Sequence, residues 1–133
     1  MTLWHLFNAT QTVSVASVDE SKPRLRLMTL ICMNERLFLA TGSGDNKTRQ
    51  WALNPNLECL LPLSGDAGNG YLRIGGEARV VRDLALKQEV AETAKFIYNY
   101  WQDSANPDFI LYEVLPREWR YLQPGADLEE VLV

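Results

Sequence analysis

The chain has 133 residues, 47% of them hydrophobic and 23% charged, with a formal net charge of −4. That length points to one domain, able to bury a core without disulfide or metal staples. The acidic balance argues against a general binder of nucleic acid or anionic membrane, and no apolar run approaches the ~20 residues of a membrane helix. Taken in chain order, residues 2–9 place Leu3, Leu6 and Phe7 at helical spacing and predict a short helix. The same start lacks the basic and apolar stretches of a secretory signal. Val13, Val15 and Val18 in "TVSVASVD" predict a strand, ended by the turn "DESK". "PRLRLMTLICM" predicts a long second strand with Pro23 at its edge or start. Alternation puts Leu25, Leu27, Thr29 and Ile31 on one face and Arg24, Arg26, Met28 and Leu30 on the other. "NER" is a tight turn into a third strand, "LFLAT".

A short helix is expected over residues 46–53, stopped by Asn54 and Pro55 because the residue before proline avoids helical angles. "NLECLLPLS" reads as a fourth strand, "GDAGNG" as a loose glycine loop and "YLRIGGEARVVR" as a fifth strand. Paired Gly75 and Gly76 inside that strand suggest a bulge or a sharp bend. Asp83 is placed to cap a helix over 84–101, with Leu86, Val90, Ala94 and Ile97 as its apolar stripe. "DFILYEVLPREWRYLQ" is the last long strand, and residues 123–133 form a tail. Strands joined mainly by hairpins do not make the repeating βαβ pattern of a dinucleotide-binding fold. A mainly β structure follows, an antiparallel barrel with attached α-helices, since closure removes exposed strand edges.

Chemistry-bearing groups are few. Cys32 and Cys59 lie in apolar runs, form no CxxC pair and are far in sequence from the single His5, which argues against a zinc site. Buried free thiols fit a reducing cytoplasm. One histidine does not readily anchor a Ser-His-Asp triad, so any reaction points to a bound cofactor. The stretch "LATGSGDNKTRQ" matches neither GxxxxGK[ST] nor GxGxxG. Its physics still suits an anion: a strand ends, glycines admit close approach, and a helix begins with free N–H groups. Thr41 and Ser43 add hydroxyls, and Lys47 adds a charge in the first helical turn, where a cation is otherwise disfavoured. Arg26 on the neighbouring strand would supply a guanidinium fork. A solvated turn beside a basic strand face is the alternative. Trp119 and Tyr121 share a face of the last strand, either as core or beside a flat ring.

The ordered set "VSVASVDESKPRLRLMTL", "RLFLATGSGDNKTRQWALNP" and "YLRIGGEARVV" resembles the pyridoxamine 5′-phosphate oxidase-like FMN-binding split-barrel proteins over roughly residues 10–122. The resemblance implies a six-stranded antiparallel split barrel in a single domain, pairing as a homodimer with FMN at the interface. By motif position it implies Arg26 and Lys47 as phosphate ligands, and Thr41 and Ser43 as their neighbours. It further implies the backbone of Leu27, Met28 and Thr29 along the isoalloxazine ring, Gln50 pointing toward the cofactor, and Trp119 of the partner chain near the ring. The oxidase's basic residues are replaced by Asn46 and Ile31, and "PREWRYLQPG" has Arg117 and Arg120 but no histidine. The resemblance is therefore to a short relative rather than to the oxidase itself: an FMN-dependent oxidoreductase using a donor such as NAD(P)H, or a module that only holds flavin, haem or a deazaflavin.

Overall fold

A computed structural model describes residues 3–132, apart from the side chains of Asn46 and Lys47. The strands are β1 (Thr10–Asp19), β2 (Lys22–Met33), β3 (Arg36–Gly42), β4 (Asn56–Gly65), β5 (Gly68–Val80), β6 (Phe109–Leu122) and β7 (Glu130–Leu132). The helices are α1 (Asn46–Leu53) and α2 (Leu84–Thr93), with 3-10 turns at Trp4–Leu6 and Lys95–Asn99. All strand pairings are antiparallel, in the order β3-β2-β1-β4-β5-β6-β7, and β3 also pairs with β6. β1–β6 therefore close on themselves.

The six expected strands form this ring, and the described residues contain seven. The seventh comes from the tail. β3 covers β6 only from Phe109 to Val114, leaving the second half of β6 with a free edge. β7 pairs there, Leu132 opposite Trp119 and Glu130 opposite Tyr121.

Turn chemistry sets the hairpins. Glu20 and Ser21 (φ 50° and 67°), and Asn34 and Glu35 (φ 52° and 58°), adopt left-handed angles at two-residue turns. Such turns match the right-handed twist of the strands they join. The expected loose loop over 65–70 is also a tight hairpin, with Gly65 opposite Gly68. Gly70 serves close approach there, since a Cβ on it would lie 2.2 Å from the Leu122 carbonyl oxygen. At Gly76 the expected bulge is present: the β5–β6 register shifts between Gly75 and Gly76.

Two apolar layers form. Val13, Val15, Leu30, Leu39, Cys59, Leu72 and Ile74 fill the barrel. Outside it, Ile31, Phe38, Phe109 and Leu111 pack under Val90, Ala91, Ala94 and Ile97. β2, β3 and β6 are thus covered on both faces where these layers meet, which explains the unbroken apolar runs "LIC", "LFLA" and "FILY". The expected helix over 84–101 divides in two: Asp83 caps α2 by accepting from the Ala85 and Leu86 amides, but Ala94 leaves helical angles (φ −117°, ψ 75°). The change of pitch keeps Ile97 buried and frees Phe96, Tyr100 and Trp101 for another surface. Arg36 forks onto Glu113 across the β3–β6 seam at 2.8 Å per bond, and Arg79 joins at 3.2 Å. The Arg36 hydrogen bonds hold the Glu113 carboxyl below its usual range against the opposing effect of burial. Cys59 is a buried free thiol pushed up to about 12, chiefly by desolvation, and Cys32 is free and half-buried.

The tail is pinned by Glu129, which accepts from the Tyr71 hydroxyl, from Arg73 at 3.0 Å and from Arg120 at 3.1 Å. Led by the Tyr71 bond, these partners draw its carboxyl from 4.5 down to about 2. A carboxylate depressed on folding stabilises above its unfolded value and loses that effect as pH falls through the folded one. Amide exchange at residues 130–132 is therefore expected to be pH-corrected flat above about 4.5 and to accelerate between 4.5 and 2. Gly76→Ala would place a Cβ 2.2 Å from the Leu115 carbonyl oxygen. Urea unfolding should report a loss of about 1–3 kcal/mol, the usual cost of overpacking.

Candidate functional site

A groove of ≈ 590 Å³ opens on the outer face of the barrel. Its floor is β1–β3, through Thr12, Leu27, Met28, Thr29 and Ala40, and its wall is Phe96, Tyr100 and Trp101. Thr41, Gly42 and Asp45 close one end. The floor exists because Thr12 stands opposite Thr29 in the β1–β2 register, small side chains that leave room above the sheet. The wall is firm at Trp101, whose ring stacks on fully buried Phe109 at 5.1 Å and 28°. Phe109 is in turn held by Lys87, whose ammonium donates to the Phe109 carbonyl at 2.7 Å and lies 4.8 Å from the ring centroid. Burial lowers the Lys87 pKa, the direction expected of a desolvated ammonium.

The expected residues divide into groups. Leu27, Met28, Thr29 and Thr41 line the groove together. Arg26 is directed elsewhere: it stands opposite Val15 on the inward face, and its Nη2 donates to Gln50 Oε1 at 3.2 Å. Ser17 Oγ donates to the same oxygen at 2.7 Å. Gln50 is buried, so its amide fastens α1 across the barrel mouth to β1 and β2 instead of lining the groove. Arg24 lies 3.8 Å from Asp19. Ser43 donates its hydroxyl to Asp108 Oδ1 at 2.9 Å and its amide to the Asp108 carbonyl at 3.0 Å. The Lys47 side chain lies outside the described residues; its backbone is in the first turn of α1. Trp119 faces inward opposite Ile74 and packs edge-to-face on Trp4 at 5.5 Å and Phe7 at 6.3 Å, a stopper for its own barrel.

Two features escaped the sequence reading. The aromatic wall was written in "KFIYNYW", whose ring density exceeds what one apolar stripe needs. Asp45 was the other. It precedes α1 at the N-cap position, but its side chain does not cap the first amides of the helix. Its Oδ2 instead accepts from Thr41 Oγ1 at 2.6 Å and from the Gly42 amide at 3.0 Å.

The groove thus lies on a closed six-strand ring, floored by the segment after Arg26 and ended by the loop after β3. A family model described as pyridoxamine 5′-phosphate oxidase matches residues 4–123. The chain belongs to the pyridoxamine 5′-phosphate oxidase family. It is 23% identical over 113 residues to general stress protein 26 of Bacillus subtilis, covering 84% of this chain and 79% of that protein. The crystal structure of general stress protein 26 from Bacillus anthracis is similar at a TM-score of 0.73 and 21% identity, covering 92% of this chain and 90% of that one. A FAD-binding protein from Mesorhizobium loti shares the fold at a TM-score of 0.69 and 13% identity, over 82% of this chain and 83% of that one. At such identities the structural likeness bears on the fold alone. Among the described residues no helix is long and apolar enough to cross a membrane, and no cluster of three or more His, Cys, Asp or Glu side chains is arranged for a metal ion.

Gln50→Leu would leave the buried Ser17 hydroxyl and the Arg26 guanidinium without their shared acceptor. A buried group losing its partner costs about 1–3 kcal/mol, so chemical denaturation of this variant should show a loss in that range.

Proposed function

We propose that the groove holds a flavin, FMN in the first instance, and that the protein is an oxidoreductase working as a homodimer. The observation that carries this reading is the pairing of a flat strand floor, Leu27–Thr29, with a braced aromatic wall ending in Trp101. A strand floor beside aromatic rings suits a fused ring, which gains from offset stacking and from exclusion of water. Family membership and the FAD-binding structural neighbour support a flavin as the ring. A bound flavin supplies hydride and electron transfer between a reduced nicotinamide and a small substrate. The chain's own residues orient the ring, shield it, and present the Thr12 and Thr29 hydroxyls beside it.

The dimer reading rests on Leu25 and Leu27, outward on β2 and 74% and 73% exposed. Adjacent exposed leucines on a sheet face suit a second copy, which would also cover the open side of the groove. The substrate is not expected to be pyridoxamine phosphate: Ile31, where the oxidase carries a basic residue, is fully buried beneath α2 and offers the groove no charge. The two free thiols suit a reducing compartment, the cytoplasm.

A non-catalytic holding module is the second reading, favoured by the groove lining. Among the described residues it has hydroxyls, rings and one carboxylate but no His, Cys or Lys. Titrating FMN into the purified protein should quench flavin fluorescence with saturation at micromolar concentration; no uptake would remove both readings. Anaerobic addition of NADPH to the loaded protein should bleach the flavin absorbance if it turns over, and persistent colour with every common donor would select the holding module. Leu27→Asp should convert the dimer to monomer in sedimentation velocity and weaken flavin uptake at least tenfold. An unaltered dimer would remove β2 from the interface.

A further inference from the structure

We propose that Asp45 sets the cofactor selectivity of the groove: its carboxylate occupies the Thr41 hydroxyl and Gly42 amide donors, so a phosphate on the bound flavin adds little affinity. The inference rests on the flavin reading of the groove and adds to it the residue that governs the cofactor's anionic end.

Three placements support it. Asp45 lines the groove, at the end where its lining changes from aromatic and apolar to polar. It has the position of a helix cap, where an aspartate ordinarily accepts from the amides two and three residues on. Instead its Oδ2 turns back to Thr41 Oγ1 at 2.6 Å and Gly42 N at 3.0 Å. Those are the charge-assisted bonds a phosphate oxygen would make at the same donors. The remaining hydroxyl of the loop is engaged as well, since Ser43 bonds to Asp108 through both side chain and amide. A phosphate approaching this end therefore meets a carboxylate already seated on the donors it needs, and the two anions compete for the same hydroxyl and amide. The ring-binding part of the groove is untouched by this conflict, because Leu27–Thr29 and Trp101 carry no charge. FMN should then be held mainly by its ring and exchange readily.

Riboflavin and FMN share the ring and differ in the terminal phosphate, so their affinity ratio isolates the effect. Both are titrated into the wild-type protein, D45N and D45A, following flavin fluorescence. Asn keeps the side-chain shape and removes the charge; Ala also frees the two donors. The wild type should bind FMN within about threefold of riboflavin. Both variants should tighten FMN roughly tenfold or more while riboflavin changes less than about threefold. FMN affinity that stays constant or falls in both variants overturns the proposal, whatever the wild-type preference. If neither flavin binds any form, the flavin reading fails, and the role of Asp45 is judged with inorganic phosphate. Thermal unfolding in phosphate, against chloride of equal ionic strength, should then stabilise D45A and leave the wild type unmoved. Equal shifts, or none in D45A, overturn it.

Discussion

The pairing of β3 with β6, from Leu37 opposite Val114 to Gly42 opposite Phe109, is the constraint on which the rest depends. It closes the ring and gives β3 a second partner along Leu37–Gly42. It also sets Phe109 beside Gly42, so that the ring supporting Trp101 and the loop ending the groove sit at one place. The Arg36–Glu113 fork ties the other end of the same seam. α2 and the 3-10 turn after it then cover the outer face of the closed strands, and their last residues form the wall.

Much of this architecture was legible because local chemistry and global shape agree. The hairpin turns fell at "DESK" and "NER", α1 spans 46–53 as its flanking Asn-Pro required, and the Gly75–Gly76 pair marks a real bulge. What escaped was decided by contacts between distant segments. Nothing near Ala94 breaks a helix in sequence, yet the pitch changes there while Ile97 stays buried. The hairpin at Gly65–Gly68 reads as a loose loop until the tail is seen to cross it, with Gly70 against Leu122. β7 is invisible in "EVL" and becomes a strand only because β6 is longer than β3 and Glu129 finds two arginines and a tyrosine.

The site was partly legible, for the same reason. Leu27 and Thr29 reach the groove because strand alternation and register place them on its face, and Met28 and Thr41 line it beside them. Arg26 and Gln50 meet each other instead, on the inward face that alternation also assigns to Arg26. The charge balance of the loop did not follow from its donors, since a carboxylate of the same loop accepts from them. A glycine-rich loop before a helix can therefore present its amides to a ligand or to its own aspartate, and the loop's fold decides between the two. Here the ring-binding surfaces and the anion-binding donors are separate parts of the groove under separate control.

The central claim, that the groove between β2 and the Trp101 wall is the flavin site, is tested most directly by a crystal structure grown with FMN. The account predicts ring density over the Leu27–Thr29 backbone and against Trp101, with a second copy of the chain seated on Leu25 and Leu27. A flavin bound elsewhere, or a groove filled by side chains of the second copy, would contradict it.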